Sequence, residues 1–144
     1  MLRLKNSVPK INIAGELWLN EAMAGHTPFR VGGPADVYAI PENLADLRSL
    51  VHWAESESVP FFVLGGGANI LVSDAGIRGL VIDMKKFNGI STSGTAKGVV
   101  LHAGAGLAVS DASAWAADRG LSGLEFIYAM PGSVAGAVWM NARC

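Results

Sequence analysis

The apolar and polar positions of this chain form short runs that predict a mixture of strands and helices. Over residues 1–24 no period persists, which predicts an irregular N-terminal arm. Alternation over residues 35–40 predicts a strand that ends at Pro41. Apolar residues at helical spacing then predict a helix over residues 42–57, and Pro60 prevents its continuation.

The rest of the chain adds more strands and two more helices. Four apolar runs predict strands at residues 61–64, 70–72, 80–84 and 98–103. The polar segment 91–97 suits a hairpin turn before the last of these. An alanine-rich stretch, residues 107–119, predicts a helix ended by Gly120, and Ser133 is placed to cap a third helix through Met140. This order predicts an α+β domain with small sheets and packed helices.

Charge and cysteine content exclude several kinds of partner. The net charge is -1 and the basic residues are scattered, so no nucleic-acid partner is expected. The single cysteine, Cys144, can form neither an internal disulfide nor a metal site, which is consistent with a reducing, cytoplasmic compartment. No run approaches the roughly 20 apolar residues of a membrane span, and residues 1–10 do not form a signal peptide.

Glycine clusters carry the candidate chemistry. Gly65, Gly66 and Gly67 follow a predicted strand, so their N–H groups can converge on an anion such as a pyrophosphate. The run matches neither the Walker pattern nor the Gly-x-Gly-x-x-Gly fingerprint. The alternative is a tight turn between two strands, but three consecutive glycines exceed what a turn requires.

Two other segments allow a ligand or an ordinary structural role. Residues 131–137 combine a capped helix start with small residues, which suits either a bound anion or close helix packing. Arg30 stands before two glycines, and pairing with Asp36 is favoured over a contact with phosphate. The three histidines are separated and lack partners at ligand spacing, so structural roles are expected and no metal site is predicted.

Four motifs stand in order along the chain. They are HTPFRVGGPAD at residues 26–36, LGGGANILVSD at 64–74, GLEF at 123–126 and MPGSVAGAVWMNA at 130–142. Together they resemble the UDP-N-acetylenolpyruvoylglucosamine reductase (MurB) family, from about Gly15 to the last residue. One motif alone would be weak, whereas four in order are specific.

The resemblance implies an FAD-binding domain of the p-cresol methylhydroxylase/vanillyl-alcohol oxidase type over residues 25–144, preceded by the arm at 1–24. In that family the loop matching residues 65–69 wraps the FAD pyrophosphate, and the segment matching 131–137 lies along the flavin. The FAD-binding residues expected from this match are Leu64, Gly65, Gly66, Gly67, Ala68, Asn69, Ala103, Gly104, Pro131, Gly132, Ser133, Gly136, Ala137 and Asn141. Asn69 and Ser133 would add side-chain hydrogen bonds.

The implied reaction passes a hydride from NADPH to FAD and then to the enolpyruvyl group of a UDP-sugar, giving UDP-N-acetylmuramate for peptidoglycan synthesis. The family's catalytic residues fall after the match ends, so none is carried over. The domain is therefore expected to be the incomplete first part of a longer, cytoplasmic protein. Alternatives are the FAD module of another oxidoreductase and a catalytically inactive fragment.

This sequence departs from the family at three places. Ala68 replaces a usual serine, Ala129 a common glycine, and Arg143-Cys144 a frequent Gly-Ala. Flavin relatives with covalent attachment use a histidine in the first loop. Because none lies there in this chain, FAD is expected to be held non-covalently.

Overall fold

The computed structural model describes residues 11–96 and 98–143. The strands are β1 (Glu16–Ala22), β2 (Pro34–Ile40), β3 (Phe61–Leu64), β4 (Ile77–Asp83), β5 (Ile90–Thr95) and β6 (Gly98–Ala103). The α-helices are α1 (Leu44–Ser56), α2 (Val109–Ala117) and α3 (Val134–Trp139). Short 3-10 turns occupy Met23–Gly25 and Glu125–Ile127. The predicted α+β class is confirmed.

The larger of the two sheets has four strands in the order β1-β2-β4-β3. β1 runs antiparallel to β2, whereas β2 and β3 both run parallel to β4. The inner strands β2 and β4 are buried almost throughout, which explains their continuous apolar sequences. The carboxyl ends of β3 and β4 therefore lie side by side, with Leu64 opposite Asp83.

Successive residues of β2 face two separate apolar clusters, as the two-residue period of a strand requires. Val37 packs with Leu50 of α1 and Leu80 of β4 in one cluster. Tyr38 packs in the other, which includes Leu64 at the end of β3. The core thus fixes β2 and β4 from both faces of the sheet, and β3 through Leu64.

Helix α1 begins at a side-chain cap, since Asn43 Oδ1 accepts a hydrogen bond from the Asp46 N–H at 3.0 Å. Asp46 then links the helix to the residues before β1 and to the residue before its own cap. Its carboxylate accepts the N–H groups of Ala14, Gly15 and Glu42 at 3.1, 2.9 and 3.0 Å. Burial alone would raise the pKa of Asp46, but these three backbone N–H groups outweigh it and hold the pKa below the ordinary value.

The β5–β6 hairpin forms a separate two-stranded sheet, and α2 and α3 follow it along the chain. Helix α2 ends as predicted before Gly120, whose φ of +68° is the left-handed conformation of a helix C-terminus. Ser133 caps α3, also as predicted, by accepting the Gly136 N–H at 3.3 Å.

Three predicted elements are wrong. The arm is not irregular throughout, because Glu16–Ala22 forms β1 and pairs with β2 over its length. Residues 70–72 form no strand; Val72 lies in a loop against Gly32. The polar segment assigned to a hairpin turn is mostly strand, since Ile90–Thr95 is β5 and pairs with β6.

Candidate FAD-binding site

The glycine loop, residues 65–69, begins where β3 ends and turns across the carboxyl edge of the sheet. Gly67 has a φ of +68°, which favours glycine. A Cβ on Gly67 would lie 2.7 Å from the His26 carbonyl oxygen, so a side chain is also excluded by space. The loop's shape is set by glycine conformation and by contact with the residues behind it.

The glycine loop and the segment 131–137 meet although they are far apart in sequence. A Cβ on Gly66 would lie 2.6 Å from the Cα of Gly132 and 3.0 Å from the Ser133 nitrogen. A Cβ on Gly65 would overlap the Ser133 hydroxyl. The structure thus brings together two of the segments that the sequence singled out, by a backbone approach that only glycine permits.

The glycine loop retains unused donors. No carbonyl among residues 11–96 and 98–143 accepts the N–H groups of Gly66, Gly67, Ala68 or Asn69. Successive free N–H groups in a turn with a left-handed glycine attract an anion without a basic side chain. This arrangement fits a pyrophosphate, and the absence of the usual serine hydroxyl at Ala68 leaves these backbone donors unchanged.

The start of α3 differs from the glycine loop in its backbone hydrogen bonds. Three of its N–H groups already have protein acceptors: Val134 donates to Leu107 O at 2.8 Å and Ala135 to Ala105 O at 3.1 Å. The Gly136 N–H donates to its cap, Ser133. Residues 134–136 therefore favour close packing, the second of the two roles that the sequence left open for this segment.

The remaining predicted residues lie around this contact in different environments. Gly104 follows β6, and its N–H donates to Gly89 O at 2.8 Å. Leu64 and Ser133 are buried, whereas Asn69 and Asn141 are exposed. Ala103 and Gly104 reach α3 through the next residue, Ala105, whose carbonyl accepts the Ala135 N–H.

The predicted Arg30–Asp36 pair is wrong. Asp36 instead binds Arg78, with the Nη1 and Oδ1 atoms 2.6 Å apart, and accepts the Gly79 N–H at 2.9 Å. Arg30 is exposed with a φ of +54°, and no ion pair joins it to another described residue.

One histidine has partners that sequence spacing did not reveal. His26 Nδ1 lies 2.9 Å from the Tyr38 hydroxyl, and its Nε2 lies 2.9 Å from Glu21 Oε1. Tyr38 also donates to Asp83. Burial first, and then the Asp83 carboxylate, raise the pKa of Tyr38 far above its ordinary value, so it remains a neutral phenol. The sequence did not reveal these contacts because one partner, Glu21, lies on β1, a strand that the sequence did not predict.

A family model described as an FAD binding domain matches residues 35–143. The chain belongs to the FAD binding domain family. The expected cofactor class, FAD, is thereby confirmed. Within the described residues there is no group of side chains that could hold a metal ion, and no helix is long and apolar enough to cross a membrane.

This FAD binding domain is similar to curated reductases. It is 42% identical over 132 residues to the UDP-N-acetylenolpyruvoylglucosamine reductase of Pelobacter propionicus, covering 92% of this chain and 44% of that protein. It is 46% identical over 125 residues to the enzyme of that name from Desulfosudis oleivorans, covering 85% and 40%. The resemblance to the MurB family is confirmed, and the chain spans less than half the length of these relatives.

Solved structures confirm the predicted fold type. MurB from Thermus caldophilus superposes with a TM-score of 0.66 at 34% identity, covering 92% of this chain and 44% of that one. The 6-hydroxy-D-nicotine oxidase of Arthrobacter nicotinovorans gives a TM-score of 0.63 at 21% identity over 82% of this chain and 26% of that one. The second likeness is one of fold alone.

Proposed function

We propose that this chain supplies the FAD-binding half of an NADPH-dependent reductase that converts UDP-N-acetylglucosamine enolpyruvate into UDP-N-acetylmuramate. The observation that carries the proposal is the contact of Gly66 with Gly132, which places four free N–H groups beside the segment assigned to the flavin. The names of relatives at 42% and 46% identity favour this reductase over other FAD enzymes.

In this proposal the glycine loop binds the FAD pyrophosphate through the N–H groups of Gly66, Gly67, Ala68 and Asn69. The segment around Gly132 gives the flavin a surface without protruding side chains. The other proposed contacts are Leu64, Gly65, Ala103, Gly104, Pro131, Ser133, Gly136, Ala137 and Asn141. Bound FAD would supply hydride transfer, while these residues bind and orient it.

FAD is proposed to be held non-covalently. The His26 backbone packs against the glycine loop, since a Cβ on Gly67 would lie 2.7 Å from the His26 carbonyl oxygen, and both of its ring nitrogens are committed to Tyr38 and Glu21. A histidine so placed is not free to form a bond to the flavin. NADPH, the UDP-sugar substrate, a following substrate domain and a cytoplasmic location belong to the proposal for the complete protein.

The test uses the complete protein that carries this chain. Purified protein is expected to show flavin absorption, to release intact FAD on acid precipitation, and to oxidise NADPH when the enolpyruvyl UDP-sugar is added. Protein that contains no flavin and takes up none from added FAD would contradict the binding proposal. Flavin-loaded protein that oxidises NADPH no faster with the sugar would contradict the assigned substrate.

A further inference from the structure

A chain of hydrogen bonds, here called the Tyr38 network, lies behind the glycine loop. It runs from Glu21 through His26 and Tyr38 to Asp83. The His26 ring packs against the Tyr38 ring with centroids 4.2 Å apart, and Trp18 stacks on Tyr38 at 5.7 Å. Tyr38 is fully buried, and Asp83 is nearly so. The bond between Tyr38 and Asp83 is costly to break because these two buried groups cannot turn to water.

Counting protons assigns the state of His26. Tyr38 has one hydroxyl proton, which it donates to Asp83, so it must accept a hydrogen bond from His26 Nδ1. An ionised Glu21 can only accept, so His26 Nε2 must also carry a proton. With both carboxylates ionised, the network is therefore complete only when His26 is an imidazolium.

The charges facing the network balance in that state. Lys85 Nζ lies 3.5 Å from Asp83 Oδ2, and the imidazolium of His26 faces Glu21. Glu16, the other nearby carboxylate of β1, has Lys86 Nζ at 3.6 Å. Two cations thus offset the two carboxylates of the network itself.

The Tyr38 network touches the middle and the start of the glycine loop. In the middle, Gly67 packs on the His26 carbonyl and on Thr27 so closely that a Cβ would lie 2.7 Å from the carbonyl oxygen. At the start, Asp83 pairs with Leu64, the residue before the loop, and the Met84 N–H donates to Leu64 O at 3.0 Å. Movement of His26 or of Asp83 would therefore move the loop.

We infer that His26 and Tyr38 are positioning residues for the pyrophosphate-binding loop, which they hold in place through the Tyr38 network. The inference rests on the proposed function, because it assumes that the loop binds the pyrophosphate of FAD. Loss of the bond between His26 and Tyr38 would release the backbone that supports Gly67, and FAD affinity would then fall.

The experiment measures the dissociation constants of FAD and of riboflavin, which lacks the pyrophosphate, for the complete protein. The variants are Tyr38→Phe and His26→Gln, with His52→Gln as control because His52 is exposed on α1. We expect His26→Gln to raise the FAD dissociation constant about tenfold, the effect of about one buried hydrogen bond. Riboflavin binding should not change with it.

Tyr38→Phe separates positioning from simple charge attraction, because it cuts the network while leaving His26 paired with Glu21. It should raise the FAD dissociation constant about tenfold. A Tyr38→Phe affinity for FAD within about twofold of the control, or an equal loss of FAD and riboflavin affinity, would overturn the inference. If Tyr38→Phe fails to fold, the same two criteria apply to His26→Gln. An unchanged protein that binds no FAD overturns the proposed function, and this inference with it.

Discussion

Gly66 lies against Gly132 so closely that a Cβ on Gly66 would be 2.6 Å from the Gly132 Cα. The Gly132 Cα belongs to the main chain and the position of a Cβ is fixed by its own backbone, so no side-chain rotation can relieve the overlap. This contact joins the glycine loop to the segment before α3 and so defines the candidate site.

Gly66→Ala is therefore expected to separate these two segments and to weaken FAD binding by at least about tenfold, or about 1.4 kcal/mol. Flavin fluorescence titration of the complete protein measures the effect. Gly94→Ala on β5 is the matched control, because a Cβ there meets nothing within 4 Å. Equal FAD affinity in the two variants would show that the contact does not shape the binding site.

Removal of the α1 cap should destabilise the fold without direct effect on the glycine loop. Asn43→Ala removes the acceptor of the Asp46 N–H and should lower the free energy of unfolding by about 1 kcal/mol. Ser49→Ala on the same helix is the control, since its exposed hydroxyl bonds only to the Ala45 carbonyl. Urea denaturation of both variants checks the difference, and equal midpoints would refute it.

Asp46 should make stability depend on acid pH. Its folded pKa lies below the unfolded value of about 3.9, so the unfolded chain takes up the proton first as pH falls. The stabilisation is present above the unfolded pKa and is lost as pH falls through the folded pKa.

Asp46→Asn should lower the free energy of unfolding by about 1–3 kcal/mol at pH 7, because the amide cannot accept all three N–H groups. It should also reduce the loss of stability between about pH 5 and pH 2. Asp111→Asn, at an exposed position of α2, is the control. The assignment fails if thermal melts show the same acid dependence for both variants.

Arg78 and Arg30 provide a matched pair of arginines. Arg78 binds Asp36 and also donates to Pro34 O and Ala75 O at 2.8 and 3.0 Å. Arg78→Ala should cost about 0.5–1.5 kcal/mol in chemical denaturation, a modest value because the side chain is exposed. Arg30→Ala should change stability by less than about 0.5 kcal/mol. A larger loss of stability in Arg30→Ala than in Arg78→Ala would contradict this assignment and support the Arg30–Asp36 pair that the sequence favoured.

The sequence predicted those elements whose pattern and boundary residues agree. For α1, helical spacing coincides with a real cap at Asn43, and α2 ends before a left-handed Gly120. β1 escaped prediction because most of its residues are exposed or half-buried, so its stability comes from pairing with β2 rather than from an apolar face. β5 is polar and forms only as half of a hairpin.

For the candidate site, the sequence identified the glycine segments but not their contact. Gly66 and Gly132 are far apart in sequence and meet only in the folded chain, and no spacing rule encodes such a contact. The strand predicted at residues 70–72 was wrong for a similar reason. Val72 is apolar because it is buried against Gly32, a contact made within a loop and not within a sheet. The Tyr38 network was missed because its members come from separate strands and a connecting turn.

The close approach of the glycine loop to the α3 segment affects how the site tolerates mutation. Gly65, Gly66 and Gly67 act through the atoms that they lack, and the free donors around them belong to the peptide backbone. Alanine scanning, which reveals sites by deleting side chains, would here add a methyl group at each of these positions. These three glycines thus have no side chain to lose and are vulnerable to the addition of a single carbon.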